Sequence, residues 1–293
     1  MAAKYAITGA SGQLGRLILD IALEKKLNPA DFVGLARTPS VLDEYKTKGF
    51  DIRELDYTKP ETFPNAFAGV KKIVLISSTA VGERLKQHKA VIDFVAAQKN
   101  PAQLIYTSLL HADISKLTLA EEHKATEEYI KQKLQNYIIL RNGWYTENYI
   151  GGIAQLIEGG QKAGASKQGK IAAAARKDYA EAAVAVLIGD DDNLHRNKIY
   201  ELAGDEAFNL DEFTNVVSQL VNKPFKYVDL PENDYAVLLQ QFGLPDSFAK
   251  ILAQSDAQAA NGELYDDTKQ LSQLIGRPTT PLKDVLKQAL ELQ

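Results

Sequence analysis

The stretch Lys4-Tyr-Ala-Ile-Thr-Gly-Ala-Ser-Gly-Gln-Leu-Gly-Arg16 limits what this chain can fold into more than any other. A short apolar run, Tyr5 to Ile7, leads straight into Gly9, Ala10, Ser11, Gly12, Gln13, Leu14 and Gly15. A helical pattern follows over residues 14–23. Strand, glycine-rich turn, helix is the order that points backbone N–H groups and a helix N-terminus at a pyrophosphate. Gly9 is expected to permit the tight turn and Gly12 to let the backbone approach the phosphates. Gly15 is expected to let the helix pack close to the strand. The competing reading is a tight strand-to-helix turn with no ligand. A second strand, following about where a dinucleotide fold needs it, favours the first.

Strands and helices alternate through the first half. Apolar runs at 32–36, 72–77, 102–107 and 137–140 read as strands, and 51–56 as a short one. Helical patterns lie between them, clearest at 85–98 and 119–134. Short apolar strands separated by helices predict an α/β fold of the Rossmann type, a doubly wound parallel sheet covered on both faces. Ligand then binds at the strand carboxyl ends, where strand order reverses. Residues 1–150 are therefore expected to form the dinucleotide-binding domain, with the chain returning to it around 178–205. Residues 151–293 should make mainly a substrate-side lobe, smaller and mostly helical, closing over the cofactor cleft. There Gly151-Gly152, Gly159-Gly160 and five prolines from Pro224 to Pro281 punctuate the pattern.

Composition excludes several chemistries. The chain has no cysteine, so disulfides, thiolate catalysis, Cys-ligated zinc and iron–sulfur clusters are ruled out. None of His88, His111, His123 and His195 forms an i,i+4 pair or an H-E-x-x-H motif, so no metal site is expected. A formal charge of −4 argues against nucleic acid as a partner. The first strand begins at residue 5 and no apolar run of 18 residues is free of charge. The expectation is a soluble, cytoplasmic protein without membrane insertion.

The end of the second strand chooses between the nicotinamide cofactors. An acid there would accept hydrogen bonds from a ribose 2′-hydroxyl. This chain has Ala36-Arg37-Thr38-Pro39, and Asp31 precedes the strand instead. Arg37 can pair with a 2′-phosphate and stack on adenine, which points to NADPH; the alternative is a solvated surface arginine. Asp56 can accept from the adenine amine or cap the helix that starts near Pro60. Ser77, Ser78 and Thr79 can line the ribose and pyrophosphate. Tyr106, Thr107 and Ser108 end the fifth strand near the expected nicotinamide position, unless their hydroxyls cap local turns.

These residues resemble the short-chain dehydrogenase superfamily in its atypical, NmrA-like branch. The blocks Tyr106-Thr-Ser-Leu-Leu-His-Ala-Asp113, Leu119-Ala-Glu-Glu-His123 and Leu140-Arg-Asn-Gly-Trp-Tyr-Thr-Glu-Asn-Tyr149 are similar to the bacterial NADPH:quinone oxidoreductases of that branch. Triphenylmethane reductases are close to these. Gly169 to Ala172, Asp178 to Ala180, Gly243 to Asp246 and Tyr265 to Asp267 extend the resemblance over nearly the whole chain. Most of the superfamily protonates an alkoxide with a Tyr-x-x-x-Lys pair. With Glu127 taken as the acid that often follows it, the lysine position falls on His123 and the tyrosine position on Leu119.

The resemblance thus implies hydride transfer without a proton-donating tyrosine. Hydride addition to a simple ketone gives a strongly basic alkoxide and needs a donor. Addition to a quinone gives a phenolate-like anion, whose conjugate acid has a pKa of about 10 by analogy with tyrosine. The expected substrate is a quinone or another planar, electron-poor acceptor. Asn142, Trp144 and Tyr145, with Asn148, are the candidates for the catalytic and substrate wall. Asn142 would hydrogen-bond a quinone oxygen or the nicotinamide amide, and Trp144 would stack on a flat acceptor. Packing of the two lobes is the other role open to Trp144 and Tyr145. Arg141 is expected to pair with an acid. His111 lies at the pocket mouth or caps a surface helix. A dinucleotide-binding redox sensor without turnover, a reductase of cationic dyes and a sugar epimerase are the competing functions. The missing dyad disfavours the last.

Overall fold

The computed structural model describes residues 4–189 and 194–291. Its strands are β1 (Tyr5–Ile7), β2 (Phe32–Ala36), β3 (Asp51–Glu54), β4 (Lys72–Leu75), β5 (Gln103–Leu109), β6 (Tyr137–Asn142), β7 (Gln161–Gly164), β8 (Lys198–Leu202) and β9 (Lys226–Asp229). Seven of them form one parallel sheet in the order β3-β2-β1-β4-β5-β6-β8. β1 runs between two parallel neighbours, with Ala6 opposite Val33 of β2 and Ile73 of β4. Residues of β2, β4 and β5 are buried throughout. This is why they read as continuous apolar runs rather than alternating ones. Helices Gln13–Glu24, Arg84–Ala96, Thr118–Lys133 and Arg176–Ile188 flank the sheet. The first buries Ile18, Leu19, Ile21 and Ala22. Phe63, Val91, Ile92 and Ile130 pack on Val33, Ile73, Leu104 and Tyr106 in one core.

The chain divides into two compact units. The first comprises Met1–Leu109, Glu122–Asn142 and Lys177–Tyr200, and the second Leu110–Glu121, Gly143–Arg176 and Glu201–Gln293. Residues 110–121 and 143–150, ahead of the expected boundary, thus belong to the second unit. They lie where the chain leaves the carboxyl ends of β5 and β6. The second unit is not only helical. β7 and β9 make a parallel pair, with Gln161 opposite Lys226. Its helices start where the sequence stops them from starting earlier. Asn209 and Glu212 form a capping box at Leu210–Val221, and Pro231, Pro245 and Pro281 each precede a helix. Among the described residues no helix is long and apolar enough to cross a membrane.

His111 neither caps a helix nor stands alone. Within the second unit its backbone N–H donates to the Glu201 carboxylate at 2.9 Å. Its ring Nε2 lies 3.1 Å from the Tyr265 carbonyl and 3.6 Å from Asp266. Glu201, then the Tyr265 carbonyl and Asp266, raise its pKa from 6.5 to about 9 against the effect of burial. A folded-state pKa above the unfolded one stabilises fully below about pH 6.5 and is lost as pH rises through about 9. The melting temperature is therefore expected to fall from pH 6.5 to 9.5 in the wild type, and to fall less in His111→Gln. Identical pH slopes for both proteins would refute this contribution of the His111 ion pairs.

Candidate functional site

Strand order reverses at β1, which lies between β2 and β4. The crevice at the carboxyl ends of β1 and β4 is therefore the binding place this topology provides. One wall is the glycine turn. Gly9 is left-handed, at φ +57°, and its carbonyl accepts from the Gly12 N–H at 2.9 Å. Gly12 caps helix Gln13–Glu24 without a side chain, and no acid occupies the first helical turn. The first intrahelical bond is Arg16 N–H to the Gly12 carbonyl. The amides of Gln13, Leu14 and Gly15 therefore precede the ladder and suit an anion. Ser11, Gly12 and Gln13 are exposed, whereas Ala10, Leu14 and Gly15 are buried. Ala10 donates its N–H to the Leu35 carbonyl. A Cβ at Gly15 would lie 2.5 Å from the Gly9 carbonyl oxygen, so close helix–turn packing requires glycine there.

Arg37 directly follows β2 and is exposed. Asp56, two residues past β3, closes a local turn and does not cap the short helix at Pro60, whose N-cap is Lys59 with no side-chain bond. Its Oδ1 accepts from the Thr58 N–H at 2.9 Å and the Thr58 hydroxyl at 2.7 Å, ahead of the short helix at Pro60. These bonds, with Lys59 and Arg37 nearby, hold its pKa below the ordinary carboxylate value.

The hydroxyls at the end of β5 turn inward. Tyr106 is fully buried, with its hydroxyl 2.8 Å from His123 Nδ1. Its side chain lies in the hydrophobic core. The Thr107 hydroxyl accepts from the Ser77 N–H at 2.9 Å, and the Ser108 hydroxyl donates to Glu127 at 2.6 Å. β5 is covered on both faces, so each of these groups must find a partner inside the protein. Ser78 and Thr79, expected to end the fourth strand, sit in the loop after β4, which stops at Leu75, and Thr79 is exposed. Burial, with Arg84 nearby, pushes His123 down to about 3, so its ring is neutral.

At the end of β6, Arg141 pairs with an acid as expected. Its Nε and Nη2 donate to the two oxygens of Glu127 at 2.9 and 2.7 Å, with both residues buried. Asn142, the last residue of β6, is 5% exposed, and its Oδ1 is buried without a partner. A nicotinamide or acceptor N–H or O–H is the kind of group that would satisfy it. Trp144, Tyr145 and Asn148 fall in the second unit. There Tyr145 bridges to Ala174, the Trp144 carbonyl accepts from the Ala174 N–H at 3.1 Å, and the Arg176 guanidinium lies 4.6 Å from the Tyr145 ring centroid. The first unit thus brings the glycine turn, Arg37, Asp56, the loop after β4 and Asn142 to the carboxyl side of one sheet. Four residues there escape sequence reading: Tyr57, whose hydroxyl bonds Thr8 at 2.7 Å, and Arg84, Gln87 and His88, which hold Ser78. Each acts across a gap in sequence that no local pattern marks.

The open glycine cradle and the orphaned Asn142 oxygen fit a bound dinucleotide, and the comparisons agree. A family described as NAD(P)H-binding matches residues 9–189. Quinone oxidoreductase 2 of Escherichia coli (strain K12) is 42% identical over 280 residues, spanning 95% of this chain and 96% of that protein. The solved structure of the NADPH-dependent quinone oxidoreductase from E. coli, complexed with NADPH, is 41% identical with a TM-score of 0.92. It covers 98% of this chain and 99% of its own. Triphenylmethane reductase of Citrobacter sp. is 30% identical with a TM-score of 0.90, covering 99% and 100%. A family match over more than half the chain, joined to a full-length relative at this identity, places the protein: it belongs to the NAD(P)H-binding family of Rossmann-type oxidoreductases.

Proposed function

We propose that the protein is an NADPH-dependent quinone reductase that gives hydroquinone by two-electron hydride transfer. The observation that carries this reading is the near full-length similarity to a quinone oxidoreductase that holds NADPH, on a chain that keeps the glycine turn and Arg37. NADPH, when bound, supplies the hydride; the quinone takes it with one proton, leaving NADP⁺ and hydroquinone. The turn after β1 receives the pyrophosphate on its open amides, and Arg37 pairs with the 2′-phosphate. Asn142 offers its Oδ1 as an acceptor to the nicotinamide amide N–H, and Trp144 and Tyr145 are assigned to the acceptor side. No side chain is assigned as proton donor. Leu119 holds the tyrosine position of the dyad, and His123, at the lysine position, is buried, neutral and bonded to Tyr106. Such a site suits acceptors whose reduced form is a weak base, because water can complete the protonation. The second reading, reduction of a cationic dye, is favoured by the similarity to triphenylmethane reductase and needs no proton at all.

The test is NADPH oxidation with a benzoquinone or naphthoquinone, without added flavin or metal. Steady turnover is expected, with no rate limb assignable to histidine between about pH 5 and 8, and poor activity on simple ketones. His123→Ala should keep its rate within about tenfold. A thousandfold loss with NADPH binding intact would mean that the acid–base assignment is wrong. Tight dinucleotide binding with no turnover on any quinone or dye would support the sensor reading instead.

Cofactor choice gives a separate expectation. A charge-assisted hydrogen bond contributes about 1.5–3 kcal/mol. Arg37→Ala should therefore weaken NADPH at least about tenfold by fluorescence titration and leave NADH nearly unchanged. Equal weakening of both would remove Arg37 from the 2′-phosphate.

A further inference from the structure

The switch-point crevice has a second wall, the loop from Ile76 to Glu83 after β4. One face of helix Arg84–Ala96 holds it from behind. Arg84, Gln87 and His88 stand at i, i+3 and i+4, and all three reach Ser78. The Ser78 N–H lies 3.0 Å from His88 Nε2, its hydroxyl donates to Gln87 Oε1 at 2.6 Å, and its carbonyl accepts from Arg84 Nε at 2.5 Å. The same hydroxyl accepts from the Ala80 N–H at 3.2 Å. Every polar group of Ser78 is therefore occupied within the protein. It shapes the wall rather than offering a hydroxyl to a ligand.

The hydrogen-bond network assigns the tautomer of His88. The Thr126 hydroxyl donates to the Glu122 carbonyl at 2.8 Å, so toward His88 Nδ1, 3.1 Å away, it can only accept. Nδ1 therefore carries the hydrogen, and Nε2 is left to accept from Ser78. The ring is fully buried and packs edge-to-face with Tyr106 at a centroid distance of 5.3 Å. Burial and the Arg84 charge keep it neutral, with a pKa near 3. A neutral, single-tautomer imidazole thus joins helix Thr118–Lys133 to the crevice wall.

We propose that His88, with Arg84 and Gln87, is a positioning clamp for the dinucleotide, setting the Ser78 backbone in the shape that receives it. A wall ordered beforehand spares the cofactor the entropy of ordering it. Sheet order adds a specific consequence. The loop after β4 lies on the opposite side of β1 from β2 and Arg37. The clamp therefore acts on the part that NADPH and NADH share.

The proposal rests on the reading that the chain binds NADPH, and binding without any acceptor tests it. His88→Phe fills the site but cannot bond at either end. His88→Gln can donate to Thr126 and accept from Ser78. We expect His88→Phe to weaken NADPH and NADH alike, at least tenfold, and to speed hydrogen exchange at the Ser78 amide in the cofactor-free protein. His88→Gln should stay within about threefold of wild type. Gln87→Ala, at a half-buried position, provides a milder version if His88→Phe does not fold: a two- to fivefold loss for both dinucleotides. Unchanged affinity in folded His88→Phe, or in Gln87→Ala, overturns the clamp. So does a loss confined to NADPH, or an equal loss in the Phe and Gln variants with Ser78 exchange unchanged. A wild type that binds neither dinucleotide refutes the functional reading instead.

Discussion

Replacing Arg141 with alanine is expected to cost about 3–5 kcal/mol of stability, because it leaves the Glu127 carboxylate buried without its cation. Glu127 is 1% exposed and Arg141 4% exposed. The pair is bidentate, and the Ser108 hydroxyl occupies a further lone pair of Glu127 at 2.6 Å. Lys131 reaches the same carboxylate only at 3.5 Å from a more exposed position, too weakly to replace the guanidinium. The pair ties helix Thr118–Lys133 to β5 and β6, one residue before Asn142. Loss of stability should therefore come with loss of order at the end of β6. Denaturant unfolding measures the first, and NADPH affinity the second. The double variant Arg141→Met/Glu127→Leu should recover most of the stability, since a well-packed apolar pair avoids the desolvation of both charges. A single-variant loss below about 1 kcal/mol would mean that water reaches Glu127.

What the sequence discloses follows burial. β1 and β2 occupy the residues their apolar runs mark, because a strand covered on both faces must be apolar throughout. The fourth strand reads as 72–77 yet ends at Leu75. Beyond that point the ladder passes to side chains: the Ile76 N–H donates to the Thr8 hydroxyl at 3.0 Å and the Ser77 N–H to the Thr107 hydroxyl at 2.9 Å. No propensity reports that exchange, since one hydroxyl comes from the turn after β1 and the other from β5. β7 and β9 escaped notice because Gln161–Gly164 and Lys226–Asp229 are short, polar and part-exposed.

The site was legible where function depends on backbone and illegible where it depends on side-chain direction. The glycine turn is a backbone device, so composition and spacing suffice. Tyr106 was expected near the nicotinamide, but β5 is buried on both faces, and an all-apolar setting does not reveal which face a side chain takes. Its partner His123 is 17 residues away on a helix. The same applies to His88, whose partners Ser78 and Thr126 lie on opposite sides of it in sequence.

The glycine turn yields the other large effect. Gly15→Ala is expected to weaken NADPH and NADH about a hundredfold or more, equivalent to about 2.7 kcal/mol or more. The added Cβ would lie 2.5 Å from the Gly9 carbonyl oxygen and 2.6 Å from the Ala10 Cα. Both are backbone atoms, so no rotamer change relieves the contact. Either the helix moves away from the turn or the turn itself deforms, and in both cases the open amides of Gln13 to Gly15 lose their aim. Overpacking of this kind also destabilises, by about 1–3 kcal/mol. Gly12→Ala is the informative control. Its Cβ would be 3.2 Å from the same carbonyl oxygen, a contact a small shift can relieve, at an exposed position facing the expected phosphates. It should leave the melting temperature nearly unchanged while still lowering affinity. Position 15 then acts through packing and position 12 through approach, and melting curves read beside binding curves separate the two. Wild-type NADPH affinity in Gly15→Ala would show that the turn tolerates a wider helix, and that its amides are not what receives the pyrophosphate.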